Sequence, residues 1–324
     1  MKKIRKYIYL LLIFSYVSFT SCEDFALGEK FLQKPPSGDV TIDTIFSTAE
    51  YARRVLWYAY SKLPYGFSTG YNNSTSMRVG SIESLTDLAQ SYVGYAGADK
   101  LYYPGLYNAG SEDESGGEDH ATKYNMYARD PWKGIRHAWV FINNVDRVPD
   151  MTAEEKLRLK AEAKITIAVQ YSEMLRHYGA LPIVDHAIMP EEMGLPERAT
   201  LQQTVDFITR LLDEAIACKE LPWALPEDDL SNESGRMTGA AAMGLKLRVL
   251  LFVASPLFNS DEPYFPGEAS DKLMTWFGGY SEQRWKDAAK AGEDFFKSWK
   301  QGGFYELVQK ETATKNTIRQ AFQD

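Results

Sequence analysis

The residue types most often used for catalysis form no constellation in this sequence. Its four histidines show no metal-ligand spacing, and no Cys/His cluster exists. Glu83 and Asp87 lie four apart on a predicted helix face, which indicates a solvated face rather than two carboxyls converging across a cleft. No phosphate-cradling glycine loop precedes a helix. The sequence therefore predicts no catalytic residue, no metal site and no cofactor. The histidines are His120, His137, His177 and His186.

Aromatic side chains are concentrated in two loop regions instead. One runs from Tyr65 to Tyr107, and the other lies between Tyr264 and Tyr280 and includes Phe265, Trp276 and Phe277. Flat rings stack on the apolar C–H faces of sugars, while Asp, Asn, Arg and Gln bond the hydroxyl rim. For any single ring, the alternative is packing over the helical body. The candidate ligand-binding residues are Tyr71, Arg78, Asp87, Tyr92, Tyr95, Trp276 and Tyr280.

Composition limits the class of protein. The chain has 324 residues, 44% of them hydrophobic, which suffices for one large or two ordinary domains. The net charge is −8, and no basic stripe follows the first six residues, so a nucleic-acid partner is not expected. The acidic run from Glu112 to Asp119 indicates a solvated loop. Its oxygen ligands leave a calcium site open, although the spacing of a calcium-binding loop is absent.

The N-terminus has the pattern of a lipoprotein signal peptide. Four cations within the first six residues precede a 13-residue apolar stretch from Tyr7 to Phe19, which is too short to span a bilayer. Thr20 and Ser21 then stand before Cys22. We therefore predict a signal peptide over residues 1–21, acylation (palmitate) of Cys22 and a lipidated tether over 22–43. Plain cleavage with a free cysteine, or a soluble protein with an unusual N-terminus, are the alternatives.

The segment from Ala153 to Pro182 predicts a central helix. Thr152 and Glu155 have capping-box spacing at its start. Charges crowd its first three turns and vanish from Ile165 to Ser172, so that part of the helix should be covered on several sides. Gly179 supplies a left-handed stop, Pro182 prevents continuation, and an extended run is expected to follow.

The remaining periodic segments predict further helices with long irregular loops, and hence a mainly α fold of tetratricopeptide-like helical hairpins. Gly239–Ala254, almost wholly apolar, is expected to be deeply buried, and Cys218 is expected to be a buried or half-buried small hydrophobe. Trp132, Trp139, Trp285 and Trp299 are expected in the core, whereas Trp223 is left open. The last helix should turn Trp285, Ala288, Ala289, Gly292, Phe295 and Phe296 inward. The predicted helices are Thr44 or Ser47 to Leu63, Ile82 to Ala89, Trp132 to Val148, Thr200 to Lys219, Gly239 to Ala254 and Ser281 to Trp299.

Three stretches carry a resemblance to a known family. They are Trp132 to Asn144 (WKGIRHAWVFINN), Tyr178 to Ile183 (YGALPI) after the central helix, and Gly235 to Asn259, which contains GRMTGAAA and ends in ASPLFN. These resemble the signatures of the SusD/RagB family of cell-surface lipoproteins. Trp139 replaces the usual Asn of the first signature, which leaves open whether that position forms a side-chain hydrogen bond. Nothing after Tyr305 matches the longer family members, so residues 44–324 are predicted to form a SusD-like domain that is incomplete at its C-terminus and leaves core faces uncovered.

The resemblance implies a non-catalytic lipoprotein on the surface of the outer membrane. Such proteins capture oligosaccharide and pass it to a SusC-like TonB-dependent transporter, with loops after the first helix and after the buried helix forming the glycan platform. The candidate residues match that platform by region only. Glu23 and Asp24 are similar to the acidic export signal of these lipoproteins. Three alternatives remain: a peptide-capturing homologue, a glycoside hydrolase lipoprotein and a helical-repeat scaffold.

Overall fold

The computed structural model describes residues 41–63, 87, 88, 90, 103–106, 131–188, 192, 194, 196–226, 228 and 230–305. The chain divides into two units, residues 1–45 and 46–324. The described part of the first unit is helix α1, Ile42–Ile45. The predicted signal peptide, Cys22 and most of the predicted tether lie outside the described residues, as do most of the predicted loops Gly66–Gly80 and Tyr92–Gly117.

The described residues of the second unit are mainly helical, which confirms the predicted fold class. Within this part of the chain, β pairing is limited to one isolated antiparallel bridge between Pro182 and Arg198. The helices are α2 (Ala49–Ser61), α3 (Pro131–Asn144, followed by a 3-10 turn at Val145–Arg147), α4 (Ala153–Tyr178), α5 (Leu201–Ile216), α6 (Leu230–Glu233), α7 (Gly239–Ala254), α8 (Glu268–Asp271) and α9 (Glu282–Gly302).

A threonine precedes each of four long helices and accepts a hydrogen bond from the amide three residues later. This bond satisfies one of the amides that a helix start leaves without a partner. The predicted capping box at Thr200 and Gln203 is complete in both directions. At Thr152 only one half forms, because the Glu155 carboxylate accepts from Arg53 of α2 instead. The four caps are Thr48, Thr152, Thr200 and Thr238.

Helix α4 is the centre of the bundle, as its sequence predicts. It contacts α2, α3, α5 and α7, and its stretch from Ile165 to Ser172 is almost entirely buried. Neighbours along the chain also pack on one another: α2 on α3, α5 on α7, and α7 on α9. This succession of helical hairpins is the predicted tetratricopeptide-like stack.

The expectation that α7 is deeply buried is wrong. Its buried positions are confined to Ala240, Ala242, Val249, Val253 and Ala254. Leu251 is 49% exposed, and Leu245 and Phe252 are half-buried on the same helix. Among the described residues α7 packs mainly against α5 and α9 and only slightly against α4, so its remaining side is covered incompletely there. An all-round apolar composition indicates burial but does not show which neighbours supply it.

Two of the four tryptophans expected in the core are exposed. Trp132 and Trp285 are each 37% exposed, although Trp132 still meets Tyr171 edge to face. Trp139 is buried as expected, and its indole donates to the Val184 carbonyl at 2.8 Å, so the position that lacks the family's Asn does form a side-chain hydrogen bond. Trp299 is half-buried.

The predicted inward face of α9 is only partly correct. Ala288 is buried and Gly292 and Phe295 are half-buried, whereas Ala289 and Phe296 are exposed. Within the described residues α9 packs on one long helix, α7, so its covered stripe is narrower than the apolar stripe in the sequence.

Candidate ligand-binding surface

The segment between α7 and α9, residues 255–281, carries the exposed rings of the second aromatic region. We call it the 255–281 loop. Tyr264 and Phe265 are 81% and 82% exposed, and Tyr280 is 53% exposed. Trp276 is half-buried, and its indole donates to the Ser270 carbonyl at 2.9 Å. The loop therefore presents Tyr264, Phe265 and Tyr280 to solvent while Trp276 helps to hold it together.

Backbone hydrogen bonds fix this loop to the connection between α4 and α5. The Ala180 amide donates to the Met274 carbonyl at 2.8 Å, and the Leu201 amide donates to the Leu273 carbonyl at 2.8 Å. Gly179 lies against the same stretch, with φ +72°, and a Cβ there would lie 2.7 Å from the Met274 carbonyl oxygen. The YGALP segment therefore supports the 255–281 loop through these backbone contacts.

Asn259, the last residue of the ASPLFN motif, closes the base of the loop. It is buried, and its amide nitrogen donates to the Ala254 and Ser281 carbonyls. Its carbonyl oxygen accepts from the Ser281 amide at 2.7 Å and from Arg284 Nη1 at 2.8 Å. One side chain therefore joins the end of α7 to the start of α9 and fixes where the loop begins and ends.

Arg284 orients the residues next to Tyr280. Its guanidinium lies 4.0 Å from the centroid of the Phe277 ring, and Nη1 donates to the Gly279 carbonyl at 2.9 Å. Burial lowers the pKa of Arg284 from its ordinary value. A cation stacked on a ring and bonded to a carbonyl remains charged and holds both groups in place.

A second polar cluster lies inside the bundle, and the sequence analysis did not single it out. Glu162 of α4 is completely buried (0% exposed). Its carboxylate accepts from Tyr60 at 2.8 Å, from Arg158 at 3.0 Å and from Arg236 at 2.6 Å. The Glu233 carboxylate accepts from the same two arginines, Arg158 and Arg236. Two carboxylates and two guanidiniums thus tie α2, α4 and the start of α7 together.

The pKa shifts in this cluster follow from burial and charge. Burial, and then the Glu162 charge, raise the pKa of Tyr60 well above its ordinary value. Burial alone would lower the pKa of Arg236, but its bonds to Glu162 and Glu233 outweigh that effect and raise it. Arg236 belongs to the GR dipeptide before Thr238, which was the sequence signal that could have pointed to this cluster. The charged residues around Glu162 gave no indication that its carboxylate is buried.

The structure locates three of the predicted site residues. Trp276 and Tyr280 lie in the 255–281 loop, and Asp87 lies at an exposed two-residue turn. The other predicted ligand-binding residues lie outside the described part of the chain, as does the lipidation site, Cys22. They are Tyr71, Arg78, Tyr92 and Tyr95.

The described residues hold neither a cluster of metal-binding side chains nor a helix that could span a membrane. Among those residues, no group of three or more His, Cys, Asp or Glu side chains is placed to hold a metal ion. In the same part of the chain, no helix combines the length and apolar character needed to cross a membrane.

Comparison with known proteins identifies solved structures that share this architecture. No protein-family model matches the chain, and no curated protein matches it significantly. Solved structures do match. A SusD homolog from Bacteroides thetaiotaomicron VPI-5482 superposes with a TM-score of 0.52 at 18% identity, covering 87% of this chain and 45% of that one. A SusD-like carbohydrate binding protein from Bacteroides fragilis NCTC 9343 gives 0.50 at 18%, covering 79% and 41%. The chain has a SusD-like fold.

The protein called BT4246 gives a TM-score of 0.57 at 21% identity, covering 85% of this chain and 43% of its own. The SusD-like chain described here thus spans less than half the length of these three structures. The family resemblance seen in three sequence motifs is confirmed at the level of the fold. Two of those motifs also fix the 255–281 loop: YGALP supports it through backbone hydrogen bonds, and the asparagine of ASPLFN closes its base.

Proposed function

We propose that this SusD-like protein is a non-catalytic, surface-anchored lipoprotein that binds oligosaccharide. The observation that carries the proposal is the group of exposed rings, Tyr264, Phe265 and Tyr280, on a loop held rigidly at its base. Exposed aromatic side chains gathered on one loop are typical of a binding surface, because burial against a ligand removes their apolar faces from water. Sugar rings offer apolar faces that such side chains can stack on.

Binding of the whole ligand would combine this loop with the first aromatic region. Asp87, Arg78 and the tyrosines Tyr71, Tyr92 and Tyr95 are the proposed contributors from that region. Stacking supplies contact area without a fixed direction, and the polar side chains supply direction through hydrogen bonds to hydroxyl groups. No bond of the sugar is broken in this scheme, so the ligand leaves unchanged.

The cellular role is proposed together with the binding. Acylation at Cys22 would hold the protein on the outer membrane, and bound sugar would pass to a SusC-like TonB-dependent transporter. The pattern of residues 1–22 and the SusD-like fold support this placement. Peptide capture is the alternative ligand class for the same surface.

Isothermal titration calorimetry against a panel of oligosaccharides tests the binding. We expect the Tyr264→Ala/Phe265→Ala double variant to bind the best ligand about tenfold more weakly than the wild type, because two stacking surfaces are lost. Its stability should hardly change, since both rings are exposed. Tyr51→Ala, which removes an exposed ring from α2, is the control and should bind normally. Unchanged affinity in the double variant, or release of shorter sugars during incubation, would contradict the proposal.

A separate experiment tests the anchor. We expect mass spectrometry to find acyl chains on Cys22, and Cys22→Ser to move the protein from the membrane fraction to the soluble fraction. Cys218→Ser provides the matched control, because Cys218 is a half-buried free thiol far along the chain and its loss should leave the protein with the membrane. A wild-type protein that is unacylated at Cys22 and found in the cytosol would refute the anchor.

A further inference from the structure

A groove runs along the bundle on the face formed by α5, α7 and α9. Its volume is about 350 Å³, within the usual range for ligand sites. Helix α7 contacts both α5 and α9 and forms the floor between them. The floor is aliphatic, and the two walls are polar. Leu250 and Val253 of α7 form the floor, and Val205 of α5 and Ala291 of α9 add further aliphatic lining.

The two walls repeat the same side chains in the same register. Helix α5 carries Gln202, Asp206 and Asp213 at two, six and thirteen residues after its cap, Thr200. Helix α9 has the same residue types at the same distances from Ser281, which precedes it. They are Gln283, Asp287 and Asp294. Apart from Gln283, these side chains line the groove. Two equivalent helices of the stack therefore present matching polar rows to one channel.

The far end of the groove is electrically balanced. Asp213 pairs with Lys246 of α7 at 2.5 Å, and Asp294 pairs with Lys290 on its own helix. A ligand charge of either sign would have to displace an existing pair here. This end is consequently unsuited to selecting a charged group.

The end near Phe277 is different. Asp206 accepts from the Gln202 amide at 2.8 Å, and Asp287 accepts from the Gln283 amide at 2.8 Å. Within the described residues neither carboxylate joins an ion pair, and both are exposed. The nearby cation, Arg284, is occupied by the Phe277 ring, the Asn259 side chain and the Gly279 carbonyl. Two negative charges thus face one engaged positive charge.

The lining favours a polypeptide over a sugar. Among the described residues that line the groove, Phe277 is the one aromatic ring. It carries the Arg284 guanidinium on its face, so it is poorly placed for stacking on a sugar. An aliphatic floor beneath two carboxylates matches a lysine or arginine side chain, whose methylene stem lies on apolar surface while its charged head reaches polar groups. From residue 202 to 213 the groove extends about 16 Å, the length of about five residues of extended chain.

We propose that this groove binds an extended segment of a partner protein through a lysine or arginine side chain, whose charged head pairs with Asp206 or with Asp287. The groove includes none of the exposed rings Tyr264, Phe265 and Tyr280, although Phe277 of the 255–281 loop is part of its lining. The proposal therefore does not depend on the glycan-binding function, and either can fail alone.

Fluorescence anisotropy tests this proposal with two labelled heptapeptides, one alternating lysine with serine and the other alternating glutamate with serine. We expect the purified protein to bind the lysine probe and not the glutamate probe. The Asp206→Asn/Asp287→Asn double variant should bind the lysine probe about fivefold more weakly, because it lacks both carboxylates that can pair with a lysine head. Raising the salt from 0.15 M to 1 M should weaken wild-type binding as well, since the screening length falls from about 8 Å to 3 Å.

The matched control is Asp146→Asn/Asp228→Asn, which removes two exposed carboxylates elsewhere and changes the net charge by the same amount. It should bind the lysine probe like the wild type, whereas a generic charge effect would weaken both double variants equally and overturn the proposal. Binding of the glutamate probe, no binding of the lysine probe, or competition by a neutral oligosaccharide would overturn it too. Circular dichroism of each variant confirms that the comparison is made between folded proteins.

Discussion

Replacing Arg236 with methionine is expected to lower the free energy of unfolding by about 3 kcal/mol. The guanidinium makes two hydrogen bonds to the fully buried Glu162 carboxylate and one to Glu233. Methionine fills similar space but leaves a buried negative charge with fewer partners, and an under-compensated buried charge is more costly than the loss of one neutral hydrogen bond. Urea unfolding followed by circular dichroism gives the difference directly.

The Glu162→Met/Arg236→Met double variant distinguishes charge burial from simple loss of contacts. Once both charges are gone, Arg158 and Glu233 still pair with each other, so the double variant should be less destabilised than the sum of its single changes. Arg54→Met is the surface control, because the Arg54–Glu50 pair lies on the exposed side of α2 and should contribute no more than about 0.5 kcal/mol. If Arg236→Met and Arg54→Met lower the free energy of unfolding equally, the buried cluster stabilises the protein no more than a surface ion pair does.

Local signals were sufficient to locate the long helices of the described part of the chain. Residues Thr152, Thr200 and Thr238 cap helices because their side chains satisfy nearby amides, whatever the rest of the chain does. Gly179 ends α4 for an equally local reason, its positive φ. Such features depend on a few neighbouring residues, so a sequence pattern predicts them well.

Features that depend on distant partners could not be predicted in the same way. Glu162 stands among charged residues in the first turns of α4, yet it is buried because Arg236, 74 residues later, reaches it. Glu155 has the spacing of a capping box but pairs with Arg53 on another helix. The exposure of Trp285 likewise reflects how few elements pack on α9 within the described residues.

The candidate binding surface shows the same division. Its region was predicted, because loops rich in rings are uncommon in a compact domain unless they have a function. The sequence did not predict which rings face solvent, because that depends on the hydrogen bonds that shape the loop. The Trp276 indole donates to the Ser270 carbonyl, whereas Tyr264 and Phe265 lie outside the base that Asn259 fixes and are exposed.

Replacing Gly179 with alanine is expected to lower the free energy of unfolding by about 3 kcal/mol. The residue has φ +72° and ψ −132°, a combination that side-chain-bearing residues avoid. An added Cβ would also lie 2.7 Å from the Met274 carbonyl oxygen, which accepts the Ala180 amide. The backbone would have to move, and with it the hydrogen bonds that hold the 255–281 loop against the connection between α4 and α5.

Gly244→Ala is the matched control and should have the opposite sign. Gly244 lies within α7, and a Cβ there would meet nothing within 4 Å. Alanine should therefore stabilise the protein by about 0.5–1 kcal/mol through helix propensity alone. If both glycine variants unfold at the same urea concentration as the wild type, Gly179 is not required for the junction. If only Gly179→Ala is destabilised and it also binds oligosaccharide more weakly than Gly244→Ala, the YGALP junction positions the aromatic loop as well as ending the central helix.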